Sequence, residues 1–285
     1  MVMWKRVFVI WQICLLVGCS TILTLAPQNL DTLPAGKTVQ FFYDSQGGKV
    51  EAYLVRPRGD GPFPLMVLLH GDSRILRRGA SRVVPIAEQF SSELCYVALS
   101  ISMPGYGDTE VAGDSDRDII TGLVLDGIAK ARELPWVDQN RVLLYGLSRG
   151  AVFAAASVNK IPHLSAVVLH SGAYDLPRLY QETPIQWVRR ALNPNGETNP
   201  KLFNLLTEVS SWTAPILILH GAMDEVIPVN QAHLLNDRLE AVGIPHRLVI
   251  FPDAGHRDLP ADRVRDEVRS FLQRQIGSAC GASGH

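Results

Sequence analysis

Five short runs, at residues 65–70, 96–101, 142–145, 167–170 and 216–220, are apolar at successive positions rather than at alternate ones. A strand that is apolar on both faces tolerates water on neither, so such runs belong in a sheet covered on both sides. A further strand-like run lies at 247–251. Between the runs are stretches with helical spacing: 83–94 (Val84, Ala87, Phe90), 119–134 (Ile120, Val124, Ile128, Ala131), 151–158, 229–242 and 261–276. Buried strands alternating with helices of this length form βαβ units, which predicts an α/β fold with a mostly parallel sheet and helices on both faces. Ahead of them, 39–43 and 50–56 are strand-like, and Asp44-Ser45-Gln46-Gly47-Gly48 supplies turn chemistry for a hairpin. At 285 residues and 47% hydrophobic, the chain can build one domain of roughly 200–250 residues with a large core.

Two segments fall outside the alternation. Lys5 and Arg6 precede an apolar run at 7–17, the charged and hydrophobic regions of a secretory signal, too short for a membrane span. The run ends Leu16-Val17-Gly18-Cys19, which resembles the lipobox of bacterial lipoproteins. That resemblance implies removal of 1–18, lipid on Cys19 as the new first residue, and attachment to the cell envelope. Ser20 beside the cysteine points to the outer membrane, facing the periplasm. The alternative is an ordinary signal peptide with a chance cysteine. Residues 19–36 then form a tether, 37–276 the domain, and 277–285 a flexible Gly/Ser/Ala tail. The second segment, 176–212, has no strand pattern but holds Tyr180, Trp187, Phe203 and Trp212 beside Arg178, Arg189 and Arg190. It is either a lid over the carboxyl edge of the sheet or a surface insertion with structural aromatics.

A formal net charge of −1 lacks the footprint of a nucleic-acid binder. The basic cluster Arg74, Arg77, Arg78 and Arg82 is local and fits a solvated loop. Cys14 leaves with the signal. Cys95 is expected at the head of a buried strand and Cys280 in the tail, so both are expected to be free thiols. No Cys/His group has metal-ligand spacing, and the chemistry below calls for no metal or organic cofactor.

The chemistry centres on Gly146-Leu147-Ser148-Arg149-Gly150, a G-x-S-x-G at the junction of the run 142–145 with a helix over 149–158. The glycines leave room for a sharp turn that puts Ser148 in a sparsely allowed conformation and its oxygen above the sheet. The N–H groups that follow open a helix N-terminus, where negative charge is favoured. A serine hydroxyl needs a base. Of eight histidines, His256 lies in the loop Phe251-Pro252-Asp253-Ala254-Gly255-His256, after the last strand and before the last helix. His70 and His220 end strands and are candidates for packing or hydrogen bonding near the site, and His170 sits on another strand end. The acid that orients the base is expected at Asp224, in His220-Gly221-Ala222-Met223-Asp224-Glu225, with Glu225 as the alternative. The chain order Ser, Asp, His then falls on three successive strand-end loops. Two oxyanion donors are expected, the N–H of Arg149 and the N–H of Asp72 in His70-Gly71-Asp72-Ser73. The Asp72 carboxylate would oppose an oxyanion, so it is expected to turn outward, toward Arg74, Arg77 or Arg78.

Residues 50–275 resemble the α/β-hydrolase fold, and within it the catalytic domain of the prolyl oligopeptidase and dienelactone hydrolase group. The resemblance rests on Leu69-His70-Gly71, Met103-Pro104-Gly105-Tyr106-Gly107, Gly146-Leu147-Ser148-Arg149-Gly150, Asp224 with Ile227-Pro228, and Gly255-His256. It implies a serine hydrolase acting on a small ester or a short peptide through an acyl-enzyme. About 20 residues between Cys19 and the first strand leave no space for the N-terminal β-propeller of the oligopeptidases, which favours esters over peptides. A non-catalytic envelope protein using the fold as a binding scaffold is the reading from another class.

Overall fold

The computed structural model describes residues 22–73, 77–113, 115–198, 200–277 and 280. Its sheet begins with β1 (Leu23–Thr24), which pairs in parallel with β2 (Thr38–Ser45). β2 and β3 (Gly48–Val55) form the expected hairpin. Gln46 and Gly47 at its tip both have positive φ, 50° and 80°, the two-residue turn whose twist matches that of the strands. β4 (Phe63–Leu69), β5 (Val97–Ile101), β6 (Val137–Leu147), β7 (Leu164–His170), β8 (Ile216–Gly221) and β9 (His246–Phe251) then run parallel to one another. The order is β1-β2-β3-β5-β4-β6-β7-β8-β9, with β3 antiparallel to its neighbours. β4, β5 and β8 are buried at every position, as non-alternating apolar runs require.

The two faces divide the helices. α1 (Val84–Leu94) and α7 (Ala261–Ile276) pack Phe90, Leu94, Val268 and Phe271 against Met66, Leu68, Tyr145 and Leu217. α2 (Arg117–Arg132), α3 (Arg149–Ser157) and α6 (Asn230–Val242) cover the face that presents Val67, Leu69, Leu144 and Ile218. Segment 176–212 contributes α4 (Leu176–Glu182), α5 (Gln186–Leu192) and two short 3-10 turns. Its Trp212 is 2% exposed in the core, whereas Trp187 and Phe203 are half-buried.

Two expectations need correction. The stretch 19–36 is, from residue 22 onward, docked rather than a free tether: β1 extends the sheet, and Leu30 and Leu33 are buried in the core. Cys95 and Cys280 are not free but form a disulfide, with Cα atoms 5.1 Å apart. Cys95 does not head a strand; it ends α1 in a left-handed conformation (φ 55°). Because α7 packs on the same face as α1, the chain leaving α7 can bring Cys280 back to that corner. Among the described residues no helix is long and apolar enough to cross a membrane. The signal-like segment 1–18, Cys19, Arg74 and residues 281–285 lie outside the described residues.

Candidate active site

Four loops at the carboxyl ends of neighbouring strands converge on one point. β4 has β5 on one side and β6 on the other, so the chain direction diverges there and leaves a crevice at the sheet edge, where α/β proteins hold ligands. Ser148 stands at the top of β6, between strand and α3, with φ 54° and ψ −116°. An L-residue pays for positive φ with steric strain, and the surroundings hold it there. Ser148 N–H donates to His170 O at the end of β7 (2.7 Å), and Ser148 O accepts from Ala151 N–H (2.9 Å). The flanking glycines are required by contact. A Cβ on Gly146 would stand 2.5 Å from Gly150 O, and one on Gly150 would stand 2.1 Å from Leu69 O.

From that turn Ser148 Oγ lies 2.8 Å from His256 Nε2, and His256 Nδ1 lies 2.7 Å from Asp224 Oδ2. An ionised carboxylate only accepts, so Nδ1 carries the proton and Nε2 is left to accept from the serine. Asp224 is buried, in the loop after β8, whereas Glu225 is exposed. Its other oxygen, Oδ1, accepts from Val226 N–H (2.9 Å) and Ile227 N–H (2.8 Å). Burial by itself would raise the Asp224 carboxyl. The hydrogen bonds from His220, His256 and the Ile227 N–H outweigh it and hold the group well below the usual carboxylate range.

Two further histidines adjoin this hydrogen-bonded chain: His220, expected from the sequence near the site, and His170, which sequence reasoning did not connect to it. His220, fully buried, donates from Nε2 to Ile227 O (2.8 Å) and stands 3.3 Å from the same Asp224 oxygen that receives His256. His170 sits between β6 and the cleft, with Nδ1 2.9 Å from Tyr145 Oη. Burial, then the fields of His220 and His256, push His170 down to about 3, so it is neutral near pH 7. His170 also ends a strand, the one signal that could have singled it out as His220 was.

The loop after β4 closes the other side. Gly71 passes so near that a Cβ on it would stand 3.2 Å from Ser148 Cβ. His70 fixes this loop: its Nδ1 donates to Gly71 O (2.8 Å) and its Nε2 accepts from Met103 N–H (3.0 Å). Burial, chiefly, pushes His70 down to about 4, which keeps it in that uncharged form. The Asp72 carboxylate accepts from Tyr106 Oη (2.5 Å), and its carbonyl accepts from Arg82 (2.8 Å). Arg77 braces the Tyr106 loop through Gly105 O (2.9 Å). A cleft of about 1590 Å³ opens above Ser148 and His256. Phe153 of α3 and Leu176, Trp187, Val188 and Phe203 of segment 176–212 form its apolar wall. Among the described residues no group of three or more His, Cys, Asp and Glu could hold a metal ion.

The model of the prolyl oligopeptidase family matches residues 123–278, which include the serine elbow, Asp224 and His256. A dipeptidyl-peptidase 5 of Porphyromonas gingivalis is 25% identical over 176 residues, covering 54% of this chain and 24% of that protein. The chain thus spans well under half the length of the first curated relatives it matches. Among solved structures, an acylaminoacyl peptidase of Pyrococcus horikoshii superposes with a TM-score of 0.70 at 18% identity, over 90% of this chain and 44% of that one. An esterase of Pyrococcus furiosus superposes with a TM-score of 0.66 at 19% identity, over 85% of this chain and 91% of that one. Both likenesses carry the fold.

Proposed function

The chain belongs to the prolyl oligopeptidase family, and we propose that it is a serine hydrolase that cleaves carboxylic esters through an acyl-enzyme. The observation that carries this reading is the hydrogen-bonded chain Ser148 Oγ–His256–Asp224, at 2.8 and 2.7 Å. As Ser148 Oγ bonds to the substrate carbonyl carbon, its proton passes to His256 Nε2. Asp224 holds the opposite N–H and stabilises the imidazolium. The carbonyl oxygen, now negative, takes the N–H groups of Arg149 and Asp72. The C–O bond to the alcohol breaks, and His256 returns the proton to the leaving oxygen. Water then attacks the acyl-enzyme, gives its proton to His256, and the acid departs as Ser148 is regenerated.

An alcohol leaves more readily than an amine, and a fold shared nearly end to end with an esterase supports the ester reading. The curated dipeptidyl-peptidases keep peptide cleavage by the same residues as the alternative. A fluorophosphonate probe should label wild-type protein at Ser148 and leave Ser148→Ala unlabelled. Matched ester and amide substrates should then differ by at least tenfold in kcat/KM in favour of the ester. Absence of labelling refutes the nucleophile, and an amide preference refutes the ester assignment.

The reading extends to location. Lipid on Cys19 would hold the domain to the bacterial envelope, and the Cys95–Cys280 disulfide suits an oxidising compartment. Intact-mass analysis of native protein should find a diacylated or triacylated Cys19, and an unmodified N-terminus beyond Cys19 would end the idea. Segment 176–212 would serve as the cover of the acyl pocket, supported by its place in the cleft wall.

A further inference from the structure

The cleft is more basic than the protein around it. The chain as a whole has a formal charge of −1, yet Arg77, Arg82, Arg149, Arg257, Lys201 and Arg117 all line this one cavity. Against them stand Asp72, Asp116 and Glu197. Two of these carboxylates are engaged locally, Asp72 with Tyr106 and Asp116 with the first N–H groups of α2. Arg117 is clamped through Nη1 and Nη2 in a fork on Glu208, which leaves only its Nε without a partner among the described residues. Arg77, Arg82 and Arg257 are exposed at the rim. A cleft lined by one sign of charge raises the local concentration of the opposite sign.

Arg149 differs from the others. It follows the proposed nucleophile directly, and its guanidinium lies on the Phe153 ring one turn along α3, 5.2 Å from the ring centroid. Its Nε and Nη2 are covered from water and have no hydrogen-bond partner among the described residues. Nε and Nη2 form one edge of the guanidinium, where two parallel N–H groups match the two oxygens of a carboxylate. A covered cationic donor pair without an acceptor is costly, and because Arg149 lines the cleft, a turn of its flexible side chain off the Phe153 ring presents this edge to a ligand acceptor there.

We propose that the substrate carries a carboxylate near its scissile ester and that the Arg149 side chain receives it through this edge, the rim arginines drawing it in. The proposal rests on the hydrolase reading above, because Ser148 supplies the reaction that the bound group positions. The ester is thus a half-ester of a dicarboxylic acid or a similar acyl group ending in a carboxylate, with its methylene chain on the Phe153 side of the cleft. Arg149 contributes twice in this arrangement, its backbone N–H to the oxyanion and its side chain to specificity.

Binding and turnover separate the two readings. Ser148→Ala protein, titrated calorimetrically with monomethyl glutarate, should bind it at least tenfold more tightly than neutral dimethyl glutarate. Adding Arg149→Met should abolish that difference, and Arg149→Lys should keep only part of it, because an ammonium lacks the fork. In Ser148-intact protein, Arg149→Met should raise KM for mono-p-nitrophenyl glutarate at least tenfold more than it raises KM for p-nitrophenyl valerate, whatever loss the two esters share. Equal binding of the two glutarate esters, or equal losses on both nitrophenyl esters, overturns the carboxylate site even if hydrolysis proceeds. Selective binding without turnover of any ester by wild type would support the site and refute the hydrolase.

Discussion

Replacing Asp224 with asparagine changes one atom, and the local hydrogen bonds decide which way the new amide faces. Oδ1 accepts from two backbone N–H groups, Val226 at 2.9 Å and Ile227 at 2.8 Å. An NH₂ turned toward them would meet donors with donors, so the amide oxygen must stay there. The NH₂ then replaces Oδ2, 2.7 Å from His256 Nδ1, and donates to it. His256 is thereby held with its proton on Nε2, facing Ser148, and cannot accept the serine proton. Lost charge adds to the wrong tautomer. Two unit charges about 4 Å apart attract by about 4 kcal/mol at an effective dielectric near 20, roughly three decades of rate by transition-state arithmetic. Together these give an expected loss of about 10⁴ in kcat near pH 7. Steady-state hydrolysis of a p-nitrophenyl ester measures it, with circular dichroism and thermal melting to confirm the fold. Glu225→Gln is the internal control, because Glu225 is exposed, and it should stay within about twofold of wild type. Should Asp224→Asn keep more than a tenth of kcat, or Glu225→Gln be the crippled variant, the account of how the base is oriented is wrong.

Two further outcomes follow from the same contacts. Gly150→Ala would drive a Cβ to 2.1 Å from Leu69 O and 2.7 Å from His70 O; backbone cannot rotate away, so the variant should lose more than about 2 kcal/mol of stability, and an unchanged melting temperature would contradict the packing described for the elbow. The second concerns acid. His70 has an unfolded value of 6.5 and a folded value of about 4, so the unfolded chain binds the proton first as pH falls. Stability is therefore full above pH 6.5 and declines from 6.5 to 4, by at most about 1.4 kcal/mol per pH unit for this group. His170 adds a decline in the same direction that reaches about 3. Urea unfolding at pH 7.5 and 4.5 tests this, and a flat response would refute the burial of neutral histidines as described.

What the sequence made legible is what local pattern encodes. The buried strands were visible because both of their faces are apolar, and the elbow because glycines bracket a serine where a strand becomes a helix. β6 shows where pattern fails: it starts at Val137, five residues before its apolar run. Asp138, Gln139 and Asn140 carry no apolar signal, and Asp138 bonds to Asn140 N–H and Arg141 as a turn would. The docking of Leu30 and Leu33 was hidden because two leucines in a polar stretch have no period. His220 was legible as a strand-end residue packed or hydrogen-bonded near the site, but its approach to Asp224 depends on where Ile227 O stands, which no residue type specifies. The pairing of Cys95 with Cys280 spans 185 residues and depends on two helices sharing a face of the sheet.

That cross-link has a topological consequence. Ser148, Asp224 and His256 all fall between the two linked cysteines, so every one of the proposed reacting side chains belongs to a single covalent ring. The hairpin and the strand that precedes the first oxyanion-loop residue lie outside it. A protease that cuts once within the ring produces an open circle whose two arms stay joined until a reductant separates them. A single cut between Asp72 and Cys95 instead detaches the N-terminal piece covalently, Asp72 and any lipid on Cys19 with it. The two kinds of nick would be told apart by running the same digest with and without reductant.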